Sequence, residues 1–221
     1  MEDCPPRENQ KESIKSPAAQ ASVGPLMLQP MESMKARVCL VGESGVGKTS
    51  LIRRFVFNEF DDRYVQTLGA KVARKYVAIE FEGHPVHVVL TILDIMGEPE
   101  FRDLLQEAYF HEVQGVVAVA ELTRPDTVRA LPEWIGAARR VSGPVPVTVL
   151  GNKADLTVAE GALDAVQEVA RAVHAPSWQT SSKTGKSVDA AFAGLSRAIV
   201  AEALRGGERE PVVSLDSTLG V

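Results

Sequence analysis

The chain has 221 residues, of which 45% are hydrophobic and 24% are charged, and its formal net charge is −5. These values are typical of one soluble α/β domain with tails, and an acidic chain without a basic cluster argues against a nucleic-acid surface. Only two cysteines, Cys4 and Cys39, are present, which argues against a disulfide framework, and we expect Cys39 to be a buried thiol.

The two ends of the chain differ in composition from its middle. Residues 1–34 are rich in Pro, Ser, Gln and Glu and predict a disordered extension, and residues 206–221 predict a second tail. No apolar run is long enough to span a bilayer, the N-terminus lacks a signal-peptide pattern, Glu2 excludes myristoylation, and no prenylation cysteine is present. We therefore expect a cytoplasmic protein without a lipid anchor, with one domain over 35–205.

The first predicted strand, 35–41, leads into a complete phosphate loop of the form G-x-x-x-x-G-K-[ST], and a predicted helix, 48–57, follows it. The loop reads Gly42-Glu43-Ser44-Gly45-Val46-Gly47-Lys48-Thr49, with Ser50 directly after it. Strand, glycine-rich loop and helix together let backbone N–H groups and a helix N-terminus surround a polyphosphate. Lys48 would reach the outer phosphates, and the Thr49 hydroxyl would bind Mg²⁺.

Two further predicted strands, 72–81 and 86–94, are joined through Glu82-Gly83-His84-Pro85. That spacing is typical of a hairpin, so one edge strand should be antiparallel. The second strand ends in Asp94-Ile95-Met96-Gly97. A carboxylate at a strand end can hold Mg²⁺, usually through water, and the N–H of Gly97 can bind a γ-phosphate, although D-x-x-G alone is a weak motif.

The rest of the domain alternates strands and helices, as βαβ units require. The runs 115–121 and 145–151 are continuously apolar, which is typical of strands buried on both faces of a parallel sheet. The remaining predicted elements are a strand at 176–180 and helices at 100–113, 127–142, 159–174 and 185–205.

Polar motifs follow the last two predicted strands. The first is Asn152-Lys153-Ala154-Asp155, with Leu156 after it, and the second is Thr180-Ser181-Ser182-Lys183. The Asp155 carboxylate can accept two N–H bonds from a guanine edge, which adenine does not offer, and a site built on such bonds rejects the wrong base strongly. The stems of Lys153 and Lys183 can lie against the base, and backbone N–H groups near Ser181 and Ser182 can reach the guanine oxygen.

Four motifs in this order and at this spacing resemble the small GTPases of the Ras superfamily, nearest to their Rab-like and Ras-like branch. The resemblance covers about residues 35–204. It implies the G domain of P-loop NTPases, with a six-stranded, mostly parallel sheet, one antiparallel edge strand and five flanking helices. It also implies a GTP/GDP switch with Mg²⁺ as cofactor, protein effectors, and in some relatives an exchange factor and a GTPase-activating protein.

The same resemblance adds a segment that physical reasoning alone does not single out. Residues 60–69 are similar to switch I of the family, in which Thr67 would give a second hydroxyl to Mg²⁺ and its N–H to the γ-phosphate. By that match Phe60 would pack edge-on against guanine, although it could instead be a core residue at a helix end, and Tyr64 would close over the phosphates. Trp134 and Phe192 match core positions.

One departure from the family concerns the catalytic set, which would comprise Lys48, Thr67, Gly97 and residue 98. Family members usually carry Gln after D-x-x-G, whereas this chain has Glu98 followed by Pro99. An ionised carboxylate cannot donate to the developing transition state, and it brings a negative charge towards the γ-phosphate. We therefore expect slow GTP hydrolysis. A smaller departure is Ser182, where the family usually has Ala.

Two other functions remain open on the sequence. Because of Glu98, the chain could be a GTP-binding scaffold with negligible hydrolysis. An adenine-using P-loop kinase or ATPase is the weaker alternative, since the Asn152–Asp155 motif argues against it.

Overall fold

Apolar strands alternating with amphipathic helices form one six-stranded sheet with helices around it. The computed structural model describes residues 33–61, 70–97 and 109–205. The strands are β1 (Ser33–Val41), β2 (Ala70–Phe81), β3 (His84–Ile95), β4 (Gly115–Glu121), β5 (Val147–Asn152) and β6 (Ser177–Gln179).

The strand order is β2-β3-β1-β4-β5-β6, and only β2, at one edge, runs antiparallel to its neighbour. This confirms the predicted mostly parallel sheet. β4 and β5 are buried along their whole length, as their continuous apolar runs predict. Because the chain order reverses beside β1, the crevice between the carboxyl ends of β1 and β4 is where such sheets bind ligands.

The turn between β2 and β3 is shorter than the four-residue connection expected from the sequence. It consists of Glu82 and Gly83 alone, with φ values of 50° and 81°, while His84 and Pro85 belong to β3. Two central residues with positive φ are the signature of a type I′ turn, whose twist matches that of the flanking strands.

Five helices lie in the described part of the chain: α1 (Lys48–Phe57), α2 (Pro125–Arg129), α3 (Leu131–Ser142), α4 (Ala162–Ala172) and α5 (Val188–Arg205). The prediction of one helix over 127–142 is wrong, because that segment is divided at Ala130 into α2 and α3. Pro132 has no N–H to continue the α2 hydrogen-bond ladder, and it is well placed in the first turn of a new helix. The helix predicted over 100–113 falls largely outside the described residues.

Two apolar clusters line the two faces of the sheet. One contains Phe55 and Phe192, and the other contains Trp134 and Cys39; all four side chains are at most 4% exposed. The predictions for Trp134, Phe192 and Cys39 are therefore confirmed. Burial raises the pKa of the Cys39 thiol far above its ordinary value, with a backbone hydrogen bond opposing the effect. No helix in the described ranges has the length and apolarity needed to cross a bilayer.

The phosphate-loop helix α1 is attached to α5 through an aromatic pair. The rings of Phe55 and Phe192 are stacked with centroids 4.0 Å apart and an interplanar angle of 7°. The ammonium of Lys75 lies 5.3 Å from the centroid of the Phe55 ring. Burial of both rings, with the stacking added, makes this pair a main anchor of α1.

We expect Phe192→Ala to lower the free energy of unfolding by about 3–5 kcal/mol, because a buried ring is lost and a cavity remains. Phe57→Ala is the matched control, since Phe57 is 61% exposed. Urea unfolding followed by circular dichroism measures both variants. Equal losses in the two would contradict the anchoring role of the pair.

Candidate nucleotide-binding site

The phosphate loop connects the end of β1 to the start of α1. Lys48, only 7% exposed, folds back across the loop, and its Nζ donates to the carbonyls of Gly42 at 2.7 Å and Glu43 at 2.9 Å. The first turn of α1 carries no acidic residue and no side-chain cap. Its N–H groups and the helix dipole therefore favour an anion at this point.

Gly97 lies directly against this loop. A Cβ at position 97 would overlap Lys48 Nζ and the backbone of Glu43 and Ser44. Glycine is therefore required for the end of the D-x-x-G motif to approach so closely. The structure thus brings two motifs predicted separately, the phosphate loop and Gly97, into direct contact.

The hydroxyl of Thr49 and the carboxylate of Asp94 meet beside the loop. Leu40 of β1 pairs with Asp94 of β3 in the sheet, and Thr49 Oγ1 donates to Asp94 Oδ2 at 2.6 Å. Asp94 is 3% exposed, and none of the described residues gives a hydrogen bond to its second oxygen, Oδ1. A buried carboxylate oxygen without a donor, next to a hydroxyl, is suitable chemistry for a hard cation, so these residues fit Mg²⁺.

The protonation of Asp94 supports the same assignment. Burial raises the pKa of this carboxyl above its ordinary value, and the hydrogen bond from Thr49 and the charges of Lys48 and Lys71 only partly offset it. The two lysines compensate the charge of this buried carboxylate only in part, and a divalent cation would supply the rest.

Asn152 joins the phosphate loop to the loop after β6. It is fully buried, and its Nδ2 donates to the Val46 carbonyl at 2.9 Å. Its Oδ1 accepts from the Thr180 hydroxyl and from the Ser182 N–H, each at 3.3 Å. Gly47 packs so closely on this amide that a Cβ would overlap Nδ2. Two motifs more than a hundred residues apart are thereby held together.

The remaining base-site residues predicted from sequence lie around Asn152. Asp155 is exposed, and its Oδ1 accepts a hydrogen bond from Ser181 Oγ at 2.6 Å. Lys153 has a left-handed backbone with φ 62°, and its Nζ donates to Glu121. Leu156, directly after this motif, is 50% exposed.

The other predicted site residues are described only in part. Ser50 lies in the first turn of α1, and Phe60 is half-buried beyond the end of that helix. Tyr64, Thr67 and Glu98 lie outside the described residues, so their roles stay predictions.

A charged cluster around Glu121 was not predicted. Glu121 ends β4 and is 6% exposed, and its Oε2 accepts from Lys153 at 2.7 Å and from Arg124 at 2.9 Å. Arg124 also donates to the Ser44 carbonyl of the phosphate loop at 2.9 Å. The cluster therefore connects the lysine of the base motif to the phosphate loop. Its position, a polar residue at the end of an apolar strand, is the same signal that identified Asp94 and Asn152.

The phosphate loop has one more unforeseen partner. Trp134, predicted as a core residue, donates from its indole Nε1 to Glu43 Oε1 at 3.0 Å. The core of the second apolar cluster and the phosphate loop are therefore joined by a specific hydrogen bond.

The Glu121 cluster predicts a loss of stability in acid. Burial acts to raise the Glu121 pKa, but hydrogen bonds from Lys153 and Thr123 and the charges of Lys153 and Arg124 outweigh it, and the net pKa is lowered. The stabilisation is therefore complete above the ordinary glutamate pKa and is lost as pH falls through the lowered value.

We expect Glu121→Gln to lower the free energy of unfolding at pH 7 by about 1–3 kcal/mol, because it removes charge-assisted hydrogen bonds. The difference from wild type should begin to shrink as pH falls below about 4.5, the ordinary glutamate pKa, and should be lost as pH passes through the lowered pKa of Glu121. Urea titrations at several pH values measure this, with the exposed Glu168→Gln as control. A difference that does not change with pH would contradict the interpretation.

The comparisons with known proteins agree on one family. A family model described as "Ras family" matches residues 37–201. The chain is 35% identical over 173 residues to "Ras-related protein Rab-21" of Geodia cydonium, which covers 76% of this chain and 72% of the relative. It is 31% identical to "Ras-related protein Rab-22A" of Mus musculus, covering 76% and 86% of the two chains. "Ras-related protein Rab-31" of Rattus norvegicus is 32% identical, covering 76% and 85%.

The matched segment includes the whole sheet from β1 to β6 apart from the first residues of β1, and it contains the phosphate loop, D-x-x-G and both base motifs. Fold, motif geometry and similarity thus agree, and the chain belongs to the Ras superfamily of small GTPases, within its Rab-like group.

Proposed function

We propose that this GTPase holds GTP or GDP between the phosphate loop and the loops after β5 and β6, and that it acts as a slowly hydrolysing switch. The observation that carries the proposal is the buried Asn152 amide, which binds Val46 and Ser182 at once. Because of it, the anion site at α1 and the Asp155 carboxylate belong to one site. Asp155 then selects guanine by accepting from its ring N–H and amino groups.

Lys48 and the first turn of α1 bind the phosphates in this proposal. Lys48 Nζ already lies at the mouth of the loop on two carbonyls, so it can exchange those neutral acceptors for charged phosphate oxygens. Gly97 lies beside Lys48, and in this proposal its N–H would donate to the terminal phosphate. These donors orient the phosphate chain and stabilise charge that develops during hydrolysis.

Thr49 and Asp94 would hold the Mg²⁺, with Thr67 as the third residue expected from the family resemblance. Bound Mg²⁺ neutralises charge on the phosphate oxygens. The Thr49 hydroxyl would turn from Asp94 towards the ion, and Asp94 would orient it directly or through water. GTP would then order residues 58–70 and 95–106, and hydrolysis would release them, which is how an effector could distinguish the two states.

Nucleotide competition tests the proposal. With Mg²⁺ present, we expect fluorescently labelled GDP to bind and to be displaced by GTP and GDP but not by ATP, because only guanine satisfies Asp155. Lys48→Ala should lose at least tenfold in affinity through its missing phosphate contact. Lys35→Ala, which removes an exposed lysine of β1, is the matched control. Displacement by ATP as effective as by GTP would contradict guanine recognition.

We expect the Glu98→Gln variant to hydrolyse GTP faster than wild type. A carboxylate about 4 Å from the γ-phosphate costs about 1 kcal/mol in water and about 4 at an intermediate dielectric. Each 1.4 kcal/mol is about tenfold in rate, so a gain between about fivefold and several hundredfold is expected. Single-turnover phosphate release from preloaded GTP measures it, and an unchanged or slower rate in the variant would refute the role of Glu98.

A multiple-turnover assay separates the switch from a non-hydrolysing scaffold, the alternative that Glu98 also supports. Multiple-turnover phosphate release above that of Lys48→Ala favours the switch, and release equal to that variant favours the scaffold. We also propose that protein partners distinguish the two nucleotide states of this chain. Proteins that bind only the GTP-loaded or only the GDP-loaded form would be candidate effectors, exchange factors or GTPase-activating proteins.

A further inference from the structure

Arg54, on α1, binds the loop that follows β6. Its Nε donates to the Ser182 carbonyl at 2.8 Å, and its Nη2 donates to the Lys183 carbonyl at 2.6 Å. Its Nη1 donates to the carbonyl and the side-chain oxygen of Asn58, at 3.2 and 3.0 Å. One half-buried guanidinium thus joins the 182–183 backbone to the end of α1.

The geometry of this contact is specific to arginine. A guanidinium is planar, always charged and carries donors in a fixed fork, so it can hold two consecutive carbonyls in one orientation. Hydrogen bonds from a charged donor are stronger than neutral ones. Asn58 has a left-handed backbone with φ 56°, and its N–H closes α1 on the carbonyls of Arg53 and Arg54, so the acceptor side of the contact is itself fixed.

The same loop is held from its other side by Asn152. The Ser182 N–H is bound by Asn152, whereas the Ser182 carbonyl is bound by Arg54. The neighbouring residue, Ser181, donates to the Asp155 carboxylate. The position of the loop relative to Asp155 therefore depends on two anchors, one from β5 and one from α1.

We propose that Arg54 is a positioning residue for guanine recognition: it holds the 181–183 loop in the position from which Ser181 orients Asp155. The inference rests on the proposed assignment of Asp155 to the base. Through Asn58, the same guanidinium connects the 181–183 loop to the segment that leads to Phe60. Both the loop and the end of α1 should therefore become more mobile when Arg54 is removed.

Three outcomes are expected for Arg54→Ala. GDP should dissociate at least about tenfold faster, because strong charged hydrogen bonds to the loop are lost. The preference for GDP over inosine diphosphate should fall severalfold, since inosine lacks the amino group that Asp155 would accept from. The acceleration of release by removing Mg²⁺ should be the same as in wild type, because Thr49 and Asp94 are untouched.

The experiment measures release of labelled GDP from the full chain by stopped-flow fluorescence, with and without a chelator. Competition by GDP and inosine diphosphate gives the base preference. Arg53→Ala is the matched control on the same helix, since the Arg53 side chain is 43% exposed and, among the described residues, forms long ion pairs with Glu59 at 3.6 Å and Asp61 at 3.8 Å. Such pairs contribute little, so the control should behave as wild type.

Unchanged GDP release by Arg54→Ala would overturn the inference, as would faster release with an unchanged GDP preference, which would indicate general loosening. If the alanine variant does not fold, Arg54→Lys decides. Its single ammonium cannot bind both loop carbonyls and Asn58, so an intermediate loss of base preference is expected, and wild-type preference refutes the role. Failure of wild type to bind labelled GDP at all would instead overturn the proposed function.

Discussion

The carboxamide of Asn152 is the contact on which the arrangement of the site depends, because its three polar partners come from two loops that share no secondary structure. Its donor side binds the phosphate loop at Val46 and its acceptor side binds Thr180 and Ser182. An amide is the side chain that both donates and accepts, and in a fully buried position neither half can be left unsatisfied. An aspartate or a leucine at this position would lose one or both attachments, so the spacing of the two loops depends on this residue type.

Around this amide the charged groups are arranged in two separate networks. At the end of β4, Glu121 accepts hydrogen bonds from Lys153 and Arg124. On α1, Arg54 donates to the backbone of the 181–183 loop. The first network connects the Asn152–Asp155 motif to the phosphate loop, and the second connects the 181–183 loop to α1. The site is thus formed at the carboxyl ends of parallel strands, and side chains from outside the recognised motifs, Glu121, Arg124 and Arg54, help to hold its loops.

Much of the fold and of the candidate site could be predicted from the sequence, where neighbouring residues carry the pattern. Continuous apolar runs identify β4 and β5, and polar residues at strand ends identify Asp94 and Asn152. The break at Ala130 was missed, although Pro132 was a local signal for it: proline cannot continue a helix but suits the first turn of a new one. Arg54 was missed for a different reason: the two carbonyls that it binds in the 181–183 loop lie 128 and 129 residues away. An arginine on an amphipathic helix carries no local mark of such contacts, and backbone carbonyls are present at every position.

The buried thiol of Cys39 has a consequence for following this protein in solution. It lies in β1, three residues before Gly42, and is inaccessible to solvent with its thiolate form strongly disfavoured. A thiol reagent can modify it only when the strand separates from its neighbours. The rate at which Cys39 is labelled therefore reports how often the sheet opens next to the phosphate loop. Nucleotide bound at that loop should stabilise the closed sheet and lower the labelling rate.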